Sequence, residues 1–167
     1  MLLRRLLNTR DGRTIEIKRA EREDIRGIID VFNDVMKEEI YLLGEKYLAD
    51  EEFLGMRLID GENELFLVAK DNNKVIGVLT LTRERFKKNR HVAQLGIAIK
   101  NGYRSMGIGT NLMDLSFEWA REKGIEKICL EVFSTNTVAI NLYRKMGFYE
   151  ECVRKKQFKI RGEYVDD

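Results

Sequence analysis

The sequence predicts an α/β fold in which a mixed sheet is flanked by helices. Three observations predict it. Stretches whose apolar residues recur at helical spacing alternate with short apolar runs bounded by turn residues. Hairpin signals stand near both ends of the chain. Between them, the apolar run Leu95, Gly96, Ile97, Ala98, Ile99 passes through a glycine-rich turn into an amphipathic helix.

Taken in order, Asp11 and Gly12 form a hairpin turn, with Leu6 and Leu7 on one side and the alternating pair Ile15 and Ile17 on the other. The second of these strands covers residues 14–18. From Asp24, the residues Ile25, Ile28, Ile29, Phe32, Val35 and Met36 keep the period of one helix face, giving a helix that runs to about residue 39. Residues 40–47 break that period. Their two tyrosines and three aliphatics need a core or a ligand to cover them. A second helix spans residues 50–59 and stops at Asp60 and Gly61. Two strands follow over residues 65–70 and 74–83, joined at Asp71, Asn72 and Asn73. The basic connection over residues 83–90 carries Arg83, Arg85, Lys87, Lys88 and Arg90. A solvated hairpin loop is the preferred reading of it over a guide for nucleotide phosphate.

After the central strand and its helix, which ends near Lys123 and Gly124, residues 128–133 form another strand. Residues 136–146 form another helix, with Gly147 as its stop. Residues 148–160 then make one long strand, and Arg161, Gly162 and Glu163 turn into a last strand that has barely begun at Asp167. The 167 residues suit one domain with a sizeable core. No segment is repeated and no linker is evident.

Composition narrows the function. Hydrophobic residues at 44% and charged residues at 35% describe a soluble globular protein. A net charge of +2 demands neither nucleic acid nor an anionic membrane as partner. A single histidine, His91, rules out a histidine-rich metal site, and no metal is expected. Cys129 and Cys152 are too few for a disulfide framework and fit core packing in a reducing cytosol. The expected location is therefore cytoplasmic.

The stretch that carries chemistry follows the central strand. Arg104, Ser105, Met106, Gly107, Ile108, Gly109 and Thr110 read Arg-x-x-Gly-x-Gly-Thr. A strand, a glycine-rich turn and a helix in this order leave backbone N–H groups bare at a helix N-terminus, where the dipole favours an anion. Gly107 and Gly109 let the main chain approach a phosphate, and Arg104 adds charge at the rim. A nucleotide-triphosphate loop would need lysine after the second glycine, and a dinucleotide fingerprint would need glycine at position 112. Thr110 and Leu112 stand there instead. A phosphorylated ligand of another kind is expected.

The Arg-x-x-Gly-x-Gly spacing resembles the acetyl-CoA pyrophosphate loop of the GNAT superfamily of N-acetyltransferases. A second stretch, LEVFSTNTVAINLYRKMGF from Leu130 to Phe148, resembles that superfamily's C-terminal motif: a strand, an Asn-led helix and a Tyr…Gly-Phe ending. Both motifs stand in the right order, and the polar tail from Arg161 to Asp166 is similar to that of small amino-acid and peptide-amine acetyltransferases. The resemblance implies one N-acetyltransferase domain with a mostly antiparallel mixed sheet flanked by helices. Its N-terminal hairpin would cover residues 1–19 and its acetyl-CoA-binding core about residues 66–148. The implied reaction moves an acetyl group from acetyl-CoA to a primary amine by direct attack. A peptide N-terminus, an amino acid or a small amine would all serve as acceptor, and a homodimer is admissible. The other reading is a non-catalytic acyl-CoA-binding or interaction module.

The residues support this chemistry in their own right. Asn136 can cap its helix, and Asn136, Ala139 and Tyr143 lie on one helix face. Acetyl transfer needs a neutral amine, a polarised carbonyl and a proton for the leaving thiolate. A backbone N–H among Ile97, Ala98 and Ile99 would polarise the carbonyl. The resemblance gives Tyr143 the proton-donor role and Asn136 a place beside the cofactor. Many relatives carry a basic glutamate on the strand before the phosphate loop, but that position falls near Ala93. Glu131 substitutes. On a strand it would share a face with Cys129 and Phe133, a carboxylate between apolar neighbours. It is read equally as a catalytic base and as a structural carboxylate, with His91 and Gln94 as alternatives. Residues 40–47 and 159–164 are expected to shape the acceptor site.

Overall fold

The computed structural model describes residues 3–44 and 46–167. Six strands form one sheet in the order β1-β2-β3-β4-β5-β6: β1 (Arg4–Asn8), β2 (Thr14–Arg19), β3 (Glu64–Asp71), β4 (Lys74–Arg83), β5 (Val92–Ile99) and β6 (Lys127–Cys129). The first five pair antiparallel, and β6 alone runs parallel to β5. Four helices accompany the sheet: α1 (Ile25–Met36), α2 (Glu51–Ile59), α3 (Ile108–Glu122) and α4 (Thr137–Lys145). A separate hairpin of β7 (Phe158–Ile160) and β8 (Glu163–Val165) follows. The mixed, mostly antiparallel α/β architecture expected from the sequence is the one observed.

The period of two in the strands sorts the core into two layers. Ile15, Ile17, Leu65, Leu67, Leu79, Leu81 and Leu95 face α3, where Leu112, Met113 and Trp119 meet them. Phe66, Val68, Val78 and Ala98 face the other way, onto Ile28, Val31, Phe32 and Val35 of α1 and Leu54 of α2. Residues 64–69 of β3 are buried throughout, which explains why that strand reads as one apolar run.

Two ion pairs fix α1 over the sheet. At its start Asp24, with a side chain 1% exposed, accepts from Lys70 Nζ at 2.7 Å. Removing one partner of such a pair strands a buried charge, at a cost of about 3–5 kcal/mol. Near its end Asp34 pairs with Lys100 Nζ at 2.8 Å. The far end of α1 is thereby held against the turn that follows β5.

Two expectations are corrected. The strand expected over residues 128–133 stops at Cys129, and residues 130–133 are irregular. The long strand expected over residues 148–160 is reduced to Phe158–Ile160, while residues 148–157 form no strand. Both stretches carry the apolar, aromatic and β-branched residues that strands favour, but β6 pairs only with β5 and no further strand of the sheet joins it.

Candidate active site

The site begins where β5 loses its second neighbour. Gln94 of β5 is matched with Cys129 of β6, and there the parallel pairing ends. Pairing with β4 continues to Ile99. From Leu95 to Ile99, β5 therefore has a strand on one side only. The Lys100 N–H donates to Ile76 O at 2.9 Å, on the β4 side. Strand alternation then turns the peptide groups of Ile99 and Ile97 away from β4, towards the open side. Their side chains pack against the α3 core and Ala98 packs against α1, so this part of the site offers backbone.

The loop after β5 is held in an uncommon conformation. Ser105 has φ +61° and Gly107 φ +82°, both left-handed. Gly107 is the N-cap of α3 and makes no side-chain cap, and the first turn carries no acidic residue. The opening N–H groups of α3 are thus left for an anion, as the glycine spacing implies. Asn111 Nδ2 donates to Gly107 O at 2.9 Å, and Arg5 Nη1 donates to Asn111 Oδ1 at 3.1 Å, anchoring the turn to β1. Ile108 is buried in the core, Met106 packs against it, and Thr110 is partly exposed. Gly109 has a second reason to be glycine: a Cβ there would lie 2.9 Å from Leu142 Cδ2 of α4 and 3.5 Å from Ile99 Cδ1.

Arg104 does not stand free at the rim. Its Nε donates to Ile99 O at 2.9 Å, and its two Nη atoms bind Glu38 at 2.8 and 2.5 Å. Its guanidinium also lies 4.4 Å over the Tyr41 ring. The Glu38 carboxylate is the main reason its pKa is raised further. The partners come from residues that follow α1, 66 and 63 positions earlier, and no local signal marks them. Within the same segment Tyr47 stacks on Phe32 at 4.6 Å, which covers one of the tyrosines flagged in residues 40–47. Glu45 lies outside the described residues.

On the other wall, Asn136 caps α4 by accepting from Ala139 N–H at 3.2 Å. Tyr143 lies on the inward face of this helix, 9% exposed and beside Phe148 with ring centroids 5.9 Å apart. Burial pushes its hydroxyl up to about 12. A phenol so placed stays protonated across the working range of an enzyme and remains a hydrogen donor. Tyr143 lines a cleft of about 940 Å³ together with Gln94, Cys129, Glu131, Ile140 and Met146.

Glu131 corrects a local expectation. Because β6 ends at Cys129, Glu131 is in a loop, with its side chain 67% exposed and paired with Arg154 Nη2 at 2.9 Å. The apolar enclosure expected of it is absent. Its location is informative all the same, because it lines both the large cleft and a cavity of about 170 Å³ shared with Tyr41, Leu42, Leu43, Phe133 and Phe158. Of the two segments expected to shape the acceptor site, residues 41–43 of the first line this small cavity, whereas residues 159–164 do not and only the preceding Phe158 does. Ala93 is fully buried in the α3-facing core, so its position could present nothing to the cleft. His91 is exposed and opens β5 at the end away from the phosphate loop; the basic connection over residues 83–90 lies at that same end. The length of β5, about 25 Å at 3.3 Å per residue, separates that connection from the loop that follows Ile99.

Among the described residues, no group of three or more His, Cys, Asp or Glu side chains could hold a metal ion. No helix among the described residues is long and apolar enough to cross a membrane.

The second half of the chain thus holds an uncapped glycine-led helix start, a strand paired on one side only and, packed on that helix through Leu142, a helix that carries a buried tyrosine. Residues 28–148 match the model of the Acetyltransferase (GNAT) family, and the chain belongs to that family. The protein is an acetyl-CoA-dependent N-acetyltransferase acting on amines. It is 34% identical over 114 residues to the L-amino acid N-acetyltransferase AaaT of Escherichia coli (strain K12), covering 66% of this chain and 68% of that one. It is 30% identical over 164 residues to an N-alpha-acetyltransferase of Sulfurisphaera tokodaii, covering 93% and 89%. Its structure is similar to that of a GNAT-family acetyltransferase from Streptococcus pneumoniae, with a TM-score of 0.84, 29% identity and coverage of 91% and 95%.

Proposed function

We propose that this enzyme acetylates α-amines, either of free amino acids or of peptide N-termini, by direct attack on acetyl-CoA. The observation that carries this reading is the position of Glu131 where the cleft lined by Tyr143 meets the small cavity, exposed itself and sharing the Arg154 guanidinium with the enclosed carboxylate of Asp167. An α-amine titrates near pH 8 and is partly neutral at working pH, whereas a lysine-type amine near 10.4 needs a stronger base. An exposed, ion-paired glutamate suits the first and not the second. The two relatives act, by their names, on L-amino acids and on N-alpha amines, which agrees.

In this reading the opening N–H groups of α3, with Ser105, Met106, Gly107, Ile108, Gly109 and Thr110, hold the pyrophosphate. The open peptide group of Ile97 and the N–H of Ile99, whose carbonyl is taken by Arg104, hold the pantetheine arm, and one of the two N–H groups polarises the thioester carbonyl. Bound there, acetyl-CoA supplies the activated acetyl group. Glu131 draws a proton from the amine as its nitrogen bonds to the acetyl carbon, and Tyr143 protonates the departing sulfur. Asn136 fixes α4 so that Tyr143 faces the cleft. The reaction belongs in the cytoplasm, where the two free cysteines stay reduced.

The test is release of free thiol from acetyl-CoA against a panel of amino acids, short peptides, lysine side-chain analogues and polyamines. Turnover with α-amines well above that with ε-amines supports the reading, and a preference for polyamines overturns it.

A further inference from the structure

The ion pair between Arg104 and Glu38 has no part in the chemistry above, yet it joins the two halves of the site. Arg104 opens the phosphate loop, and Glu38 follows α1. Tyr41, under the Arg104 guanidinium, is also a wall of the small acceptor-side cavity. From the opposite side, Arg161 of the β7–β8 turn donates to Glu38 O at 3.3 Å and to Glu39 Oε2 at 3.2 Å. Three segments distant in sequence, the phosphate loop, residues 38–41 and the last hairpin, thus meet on one carboxylate and its peptide group.

The loop's backbone makes this junction responsive. Ser105 holds a left-handed conformation that an L-residue with a side chain resists, and Gly107 holds another. The pose needs stabilising from outside. Glu38 supplies some of that by holding the Arg104 fork bidentately, and a pyrophosphate on the α3 N-terminus would stabilise the same pose. Two interactions that favour one conformation reinforce each other, and the reinforcement is reciprocal.

We infer that Glu38 is a positioning residue for the acceptor: through Arg104 it couples occupancy of the phosphate loop to the placement of Tyr41 in the acceptor cavity. The inference rests on the cofactor placement proposed above and goes beyond it. Occupancy of the phosphate loop then raises the affinity for the amine, and the amine raises that for acetyl-CoA, without Glu38 touching either substrate.

The experiment uses the full chain and Glu38→Gln, whose amide cannot return a charged bidentate partner to Arg104. The expected kinetic result is a rise in acceptor KM of about tenfold, with kcat at saturation and the acetyl-CoA Kd each within about threefold of the parent. The independent readout is backbone hydrogen exchange over residues 38–44. Saturating CoA should slow it in the parent protein and leave it unchanged in the variant. Tyr41→Leu, which removes only the stacked ring, should raise acceptor KM in the same way and serves if Glu38→Gln does not fold. Unchanged acceptor KM in a folded variant, or equal exchange protection in parent and variant, overturns the inference and leaves the activity standing. Loss of acetyl-CoA affinity equal to the KM change would instead make the pair a part of the cofactor site and also overturn it. A parent protein that binds no CoA overturns the cofactor placement and this inference together.

Discussion

Gly109 of α3 and Leu142 of α4 meet so closely that a Cβ on Gly109 would lie 2.9 Å from Leu142 Cδ2. The residue that follows Leu142 is Tyr143, so the proposed phosphate loop and the proposed proton donor share one packing contact. Gly109→Ala gains helix propensity of up to about 1 kcal/mol but forces an overpacked contact that costs about 1–3 kcal/mol. The expected net effect is destabilisation by about 1 kcal/mol in denaturant unfolding, with a larger loss in turnover. Combining it with Leu142→Ala should recover part of the packing cost, and strict additivity of the two would show that the contact carries no strain.

Gly107 differs, because nothing but an Asn111 side-chain atom comes within 4 Å of a Cβ there and its constraint is φ +82°. Gly107→Ala should therefore cost about 1–2 kcal/mol in backbone conformation alone. Acetyl-CoA affinity should fall with it, because relief of the strain withdraws the opening N–H groups of α3 from the phosphates. Calorimetry that finds unaltered affinity would remove the loop from the cofactor site.

Tyr143→Phe should lower kcat by about a hundredfold and leave the acetyl-CoA Kd unchanged, because only the proton for the sulfur is lost. The pH dependence has a definite sign. The hydroxyl moves from 10.0 in the unfolded chain to about 12 in the fold, so the folded protein binds this proton more tightly. Its stabilising share is complete below pH 10 and disappears as pH rises towards 12. Alkaline unfolding of Tyr143→Phe should accordingly be less steep over that window than that of the parent. Equal turnover of the two proteins would return Tyr143 to a purely structural place.

Glu131→Gln separates the two roles left open for that carboxylate. As a base, its loss should slow turnover at neutral pH and matter progressively less as pH passes the amine's own pKa, near 8 for an α-amine. As a partner of Arg154 only, its loss should leave the pH profile of kcat/KM in place. Since the pair is exposed, the stability change should stay below about 1 kcal/mol either way.

Much of this architecture was legible because its causes are local. Asp11 and Gly12 make a hairpin whichever sheet receives it, Asn136 caps whatever helix follows it, and Gly107 marks a left-handed N-cap by its own lack of a Cβ. Glu131 was misplaced for the opposite reason. The apolar run in residues 128–133 describes a chain able to pair, while pairing itself depends on a neighbour, and β6 has β5 alone. Residues 148–157 failed in the same way. The Arg104–Glu38 pair spans 66 positions and obeys no period, so only the folded chain reveals it. Ala93, the position near which the relatives' glutamate was expected, has its side chain buried in the core.

If the half-unpaired β5, the uncapped α3 and Tyr143 form a working acetyl-transfer site selective for α-amines, thiol release from acetyl-CoA reads it out. Measured near pH 8 with amino acids and N-terminal peptides against ε-amines and polyamines, release should depend on the α-amine and fall about a hundredfold in Tyr143→Phe. Absence of release with every α-amine, from a protein that binds acetyl-CoA, would contradict it.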